Sequence, residues 1–152
     1  MEQEHLIDTL NELLKGEQMA IHIYSRTKKL QEDAQVAHML ARFEQDHKLH
    51  AKELTKMVKE LGGEPNAKLG MPGLMANVMS FINSLRGPEH LLRQVYDGED
   101  KGVNAYLERL EKLDPVHQAK VKQMLEEDHN HLKWFKDRME EEKKERRKQI
   151  LH

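Results

Sequence analysis

Residues 62–87 read GGEPNAKLGMPGLMANVMSFINSLRG, and the fold turns on what this stretch is. Its first part, 62–73, holds four glycines and two prolines and reads as loop. Its second part, LMANVMSFINSL (74–85), is apolar at helical spacing and reads as a short helix, too short to cross a bilayer. Long periodic segments flank it. Upstream, Leu6, Leu10, Leu13, Leu14, Ile21 and Tyr24 mark one helix, Asp33 is an N-cap candidate, and Leu40, Phe43, Leu54, Met57 and Leu61 mark a second that stops at Gly62-Gly63. Downstream, Gly87-Pro88-Glu89 opens a third helix, with proline at its first position. Asp114-Pro115 restarts the chain as a fourth. The spacing predicts helices over about 4–31, 33–61, 88–113 and 115–146 in a single domain spanning 1–152. Each pair is joined by a tight turn and so lies antiparallel. The 62–87 segment is far too long for a turn and serves as a crossover along the bundle. The expected fold is an all-α four-helix bundle of two antiparallel hairpins.

Composition fits this reading and narrows function. Charged residues make up 34% of the 152 residues and aromatics 5%, the profile of long solvated helices. The net charge of −2 gives no basic field for nucleic acid. The absence of cysteine excludes disulfides, thiolate metal sites and a thiol nucleophile. The polar start MEQEHLIDTL does not read as a signal peptide, and a cytoplasmic location is expected.

Within the hairpins the chain writes Glu-x-Asp-His twice, in FEQDHKLH (43–50) and LEEDHNHL (125–132). Adding 82 carries Glu17 to Glu99, Tyr24 to Tyr106, Glu44 to Glu126, Asp46 to Asp128 and His47 to His129. Glu17 and Glu99 sit inside apolar stripes, where a lone carboxylate is costly. Counted from the turns, Glu17 and Glu44 share one height, as do Glu99 and Glu126. Four buried carboxylates at one level would repel, and two divalent cations would resolve the conflict. One Glu from each of two helices, with Glu-x-x-His from each of the other two, is the pattern of di-iron and di-manganese carboxylate bundles.

With GEQMAIHIY and GEDKGVNAY on the first and third helices, and EQDH and EEDH on the second and fourth, the chain resembles the ferritin-like di-iron-carboxylate superfamily, especially its rubrerythrin-like members. The resemblance covers the four long helices. It implies a ferritin-like bundle with two iron ions, manganese or zinc fitting the same ligands. The implied ligands are Glu17, Glu44, His47, Glu99, Glu126 and His129, with Glu44 and Glu126 bridging. Tyr24 and Tyr106 would hydrogen-bond the ligand carboxylates. The implied activity is an oxidoreductase that reduces peroxide or O2. The chain lacks the cysteine-rich electron-transfer domain of rubrerythrins, so an external electron donor is expected. A ferroxidase or other iron-handling role is an alternative, as is hydroxylation of a quinone-like apolar molecule, because IYSRTKKL and LGGEP are similar to segments of quinone-hydroxylating bundles. Pairing as a homodimer is expected.

Other readings are plainer. Asp46 and Asp128 flank the histidines and are expected to be solvated or ion-paired. The rival spacings His47-x-x-His50 and Asp128-x-x-His131 have no counterpart at the 82-residue offset, so His50 and His131 are expected on the surface. The stripe Leu74, Met75, Val78, Met79, Phe81, Ile82 and Leu85 is expected to pack on the bundle or a second subunit, with lipid or quinone contact as the alternative.

Overall fold

A computed structural model describes residues 2–65, 74–86 and 88–151 of the chain. Helix α1 spans Glu2–Thr27, α2 Ala34–Glu60, α3 Leu74–Ser84, α4 Pro88–Arg109 and α5 Pro115–Leu151, with no strand among the described residues. Single 3-10 turns, Lys28–Leu30 and Leu110–Lys112, close α1 and α4 before each hairpin reverses. Most of the proposed loop 62–73 lies outside the described residues, as do the side chains of Leu74 and Met75.

Local chemistry sets the ends. Asp33 caps α2 by accepting hydrogen bonds from the amides of Gln35 (2.8 Å) and Val36 (3.2 Å), and Arg138 of α5 ties the same carboxylate to the bundle at 2.8 Å. Asp114 caps α5 through the amide of His117 at 2.9 Å. α2 ends in a Schellman arrangement: the Gly62 amide bonds to Lys59 carbonyl and the Gly63 amide to Val58 carbonyl. Gly62 sits at φ +81°, where a side chain is strained.

α1 packs on α2 and α4 on α5; α1 also meets α4, and α2 meets α5. Cross-helix bonds give the directions. Tyr24 and Glu17 of α1 face Glu99 and Tyr106 of α4 respectively, so these helices run antiparallel. Asp46 and His50 of α2 face His131 and Glu127 of α5, so these do too. Helix α3 packs against α1 on the outside of the bundle, burying Val78 and leaving Met79 40% exposed.

The core is in two parts. One cluster holds Leu10, Leu14, Leu54, Met57, Val103 and Val121 among others. The second holds Val36, Leu40, Phe43, Leu91, Val95 and Phe135. Each draws on opposite ends of antiparallel helices, so the clusters occupy opposite halves of the bundle with a polar layer between them. Among the described residues no helix is long and apolar enough to cross a membrane. Gly62→Ala is expected to cost about 1 kcal/mol, because the left-handed backbone is unfavourable for any residue with a Cβ. A thermal melt should show Tm lower by about 2–4 °C; an unchanged Tm would mean the cap does not hold this end of α2.

Candidate metal centre

Six side chains meet in the polar layer, each no more than 7% exposed: Glu17 of α1, His47 and His50 of α2, Glu99 of α4, Asp128 and His131 of α5. His47 lies across the middle. Its Nδ1 is 2.6 Å from Glu17 Oε2, and its Nε2 is 3.1 and 3.2 Å from the two Glu99 oxygens. His131 Nδ1 meets Glu99 Oε1 at 2.7 Å, and His50 Nδ1 stands 3.4 Å from Glu17 Oε1.

A pseudo-two-fold relation organises these contacts. The Tyr24 hydroxyl donates to Glu99 at 3.0 Å, and the Tyr106 hydroxyl donates to Glu17 at 2.6 Å. Each tyrosine thus steadies the carboxylate of the other hairpin. The outer nitrogens follow the same rule: His50 Nε2 pairs with Glu127 at 2.6 Å and His131 Nε2 with Asp46 at 2.7 Å. Phe43 stacks on the His131 ring at 4.1 Å, and Tyr24 stacks on His47 at 5.2 Å, which limits how either imidazole can turn.

The structure brings together Glu17, His47 and Glu99 of the expected ligands, with Tyr24 and Tyr106 beside them. It does not bring Glu44, Glu126 or His129. Glu126 and His129 are exposed. Glu44 is buried, but it pairs with Lys28 at 2.9 Å. In their places stand the residues expected on the surface or flank: His47 occupies the position given to Glu44, His50 that of His47, Asp128 that of Glu126, and His131 that of His129.

The two hairpins also differ in register by one residue. The first hairpin links its 3-10 turn to α2 through Gln31, Glu32 and Asp33; the second links its turn to α5 through Leu113 and Asp114 only. The offset is therefore 82 for α1 to α4 (Glu17 to Glu99) but 81 for α2 to α5 (Asp33 to Asp114, His50 to His131). From Glu126 to Asp128 is two residues, about 200° around a helix, which turns the expected pair out to solvent. From Glu44 to His47 is three residues, about 300°, which keeps Glu44 inside but roughly a turn away. The two Asp caps carried the signal: aligning the hairpins on Asp33 and Asp114 pairs His47 with Asp128 and His50 with His131.

Burial alone would push the carboxyl of Glu17 up, but His47 and His50 outweigh it and hold it down at about 2. Glu99, equally buried, is held low by His47 and His131. Burial would depress His47 and His50; the facing carboxylates instead raise His47 well above its usual value and His50 to about 9. Asp128 is pushed well up, first by burial and then by Glu99 and Glu17. Both tyrosines are pushed up by burial and the neighbouring carboxylates, so they stay protonated donors.

The donors fit cations. Glu17, His47, His50 and Asp128 offer one set of ligand atoms within 4.8 Å of one another, and His47, Glu99, Asp128 and His131 offer a second. The sets overlap at His47 and Asp128: a carboxylate such as Asp128 can be shared by two adjacent ions, whereas His47 would serve one of them. Two buried atoms in the cluster, His50 Nδ1 and Asp128 Oδ1, make no hydrogen bond of good geometry; each only faces opposite charge, Glu17 at 3.4 Å and three imidazoles at 3.6–3.9 Å, so a cation between them would complete their coordination. Carboxylate and imidazole together suit iron, manganese or zinc.

Metal-free protein has a definite pH signature. The Glu17 contribution to stability is present above about 4.5 and is lost as pH falls through about 2. The His50 contribution is present below 6.5 and is lost as pH rises through about 9. Raised Asp128 acts in the same sense as His50, favouring the protonated folded state. In urea melts with a chelator present, stability is expected to fall from pH 6.5 to 9 by on the order of 1–3 kcal/mol. A flat profile would show that these imidazoles are not charged in the folded state.

The chain belongs to the family described as a domain of unknown function (DUF2383), whose model matches residues 5–112, from α1 through the turn that precedes α5. No curated protein matches it. Solved structures do. A ferritin-like, diiron-carboxylate protein from Bacillus anthracis str. Ames is 20% identical with a TM-score of 0.73, over 91% of this chain and 98% of that one. A Rhodobacter capsulatus bacterioferritin, with a metal-free dinuclear site and haem iron, is 23% identical with a TM-score of 0.69, over 89% of this chain and 83% of that one. At these identities the likeness establishes the fold: a ferritin-like helical bundle.

Proposed function

We propose that the six-residue cluster holds two divalent metal ions, iron foremost, and that the protein is an oxidoreductase that reduces peroxide or O2 with electrons from an outside donor. The observation that carries this reading is the pair of buried donor sets sharing His47 and Asp128. The likeness to a diiron-carboxylate protein and to a bacterioferritin with a dinuclear site supports it.

Bound iron would supply reversible one-electron changes and open coordination positions for the oxidant. The chain's own part is positioning and charge balance. Tyr106 and Tyr24 hold Glu17 and Glu99 in place. Glu127 and Asp46 grip the outer nitrogens of His50 and His131, fixing which nitrogen faces inward. His47, His50 and Asp128 give up protons as the ions enter, so affinity should rise with pH.

A second reading is iron handling, in which iron is cargo oxidised at the site and released. The bacterioferritin likeness favours it. Reaction of the iron-loaded chain with peroxide separates the two: sustained turnover with a donor supports the oxidoreductase, whereas one oxidation followed by ferric release supports handling.

The ligand assignment has its own test. Metal content of purified protein should be near two ions per chain. Asp128→Ala and His131→Ala are expected to lose at least one ion, with affinity down by about 10–100-fold or more. Glu126→Ala and His129→Ala, which alter exposed residues, should keep both. The reverse pattern would restore the Glu126–His129 register and refute this site.

A further inference from the structure

A cavity of about 420 Å³ lies between α1 and α4 and reaches inward to Glu17, His47, Glu99 and Asp128. Its lining is mostly apolar, with Leu13, Ala20, Ile23 and Val95, and also includes Glu12, Asp97 and Lys101. Gly16, Gly98 and Gly102 line its outer part, and Phe81 of α3 leans over the rim. We propose that this cavity binds an uncharged apolar organic molecule of one or two rings, seated against the carboxylate end of the cluster.

The glycines argue that the space is kept open. A glycine inside a helix costs about 1 kcal/mol relative to alanine. None of these three is required by backbone conformation, since the only positive φ among the described glycines is at Gly62. Close packing does not require them either. A Cβ on Gly16 or Gly102 would meet nothing within 4 Å, and one on Gly98 would make only an ordinary contact with Phe81 at 3.5 Å. Side chains at these positions would instead project over the mouth.

The second observation lies at the inner end. Asp128 is 2% exposed, lines the cavity, and has its Oδ1 without a hydrogen-bond partner. An occupant would lie beside the Asp128 carboxyl, whose Oδ1 stands 3.6–3.9 Å from the His131, His50 and His47 rings, at the inner end of the cavity. Size and chemistry set the class. Pockets of about 300–1,000 Å³ take small organic ligands, and an apolar cavity of roughly 150 Å³ already admits benzene. A charged molecule would have to shed its water to pass the largely apolar walls, and an anion would also face five carboxyl groups, Glu12, Glu17, Asp97, Glu99 and Asp128, against the one ammonium of Lys101. Binding itself needs no metal; only the chemistry done on the occupant rests on the dinuclear reading.

The test is ligand-observed fluorine NMR with 5-fluoroindole on the full chain, once with chelator and once loaded with zinc. Saturable binding is expected in both. Anionic 4-fluorobenzoate should bind at least about tenfold more weakly. Gly102→Leu should weaken 5-fluoroindole by about tenfold or more by filling the mouth. Gly102→Ala should retain binding and raise Tm by about 2–4 °C. Should Gly102→Leu not fold, Ala20→Leu blocks the same space from α1. Absence of saturable binding, or undiminished binding by a folded blocking variant, overturns the proposal. Metal retained without 5-fluoroindole binding defeats the cavity alone; binding without metal uptake defeats the dinuclear reading alone.

Discussion

Three carboxyl groups and three imidazoles share one layer between two apolar clusters, and this layer can exist only if its charges are matched. Isolated ions in such surroundings would cost several kcal/mol each. Without metal, protons do the matching: His47 and His50 are held charged by the carboxylates they face, Glu17 and Glu99 stay ionised beside them, and burial, with Glu99 and Glu17 nearby, pushes the Asp128 carboxyl up toward its protonated form. The imidazolium groups occupy the electrostatic role that cations would take. The same layer forces the tyrosines inward, since a buried carboxylate needs donors and the hydroxyls of Tyr24 and Tyr106 supply them from the opposite hairpin.

The pseudo-two-fold holds for the glutamates, tyrosines, outer histidines and outer carboxylates, and it breaks at one pair. His47 stands where symmetry places Asp128. The inner set consequently carries at most three negative charges, one fewer than four carboxylates would give. Two divalent cations would leave it net positive. Asp46 and Glu127, on the outer nitrogens of His131 and His50, place two further carboxylates next to that excess. The layer is then balanced over two shells of side chains, with the outer shell partly in water.

Much of this was legible in the chain. The long helices, the caps at Asp33 and Asp114 and the Gly62-Gly63 stop follow from local chemistry, and a short helix, α3, lies where the apolar stretch 74–85 reads as one. Glu17 and Glu99 were legible because a carboxylate in an apolar stripe is conspicuous. The histidine helices misled for a geometric reason. Glu44-x-x-His47 and Glu126-x-x-His129 match a known motif, but height in a bundle is set by the number of residues in the turn. The second turn is one residue shorter, which accounts for the change of offset from 82 to 81; the shifts of three residues on α2 and two on α5 follow from which face of each helix packs inward. Burial then distinguishes the registers: at an offset of 81, Leu40, Phe43, Leu54 and His50 pair with Val121, Met124, Phe135 and His131, all buried.

The register also gives the site two unlike sides. His50 and His131 turn their outer nitrogens toward α2, α5 and the partly exposed carboxylates of Asp46 and Glu127, and neither lines the cavity. Glu17, Glu99, Asp128 and His47 face the other way, toward the space under the glycines of α1 and α4. The α2–α5 side is closed by hydrogen bonds that fix ring orientation. The α1–α4 side is largely apolar and lacks side chains at Gly16, Gly98 and Gly102. A centre anchored on one side and accessible on the other can keep its donors rigid while exchanging what lies against them. Had the donors been Glu126 and His129, that division would not exist, because both would point into solvent.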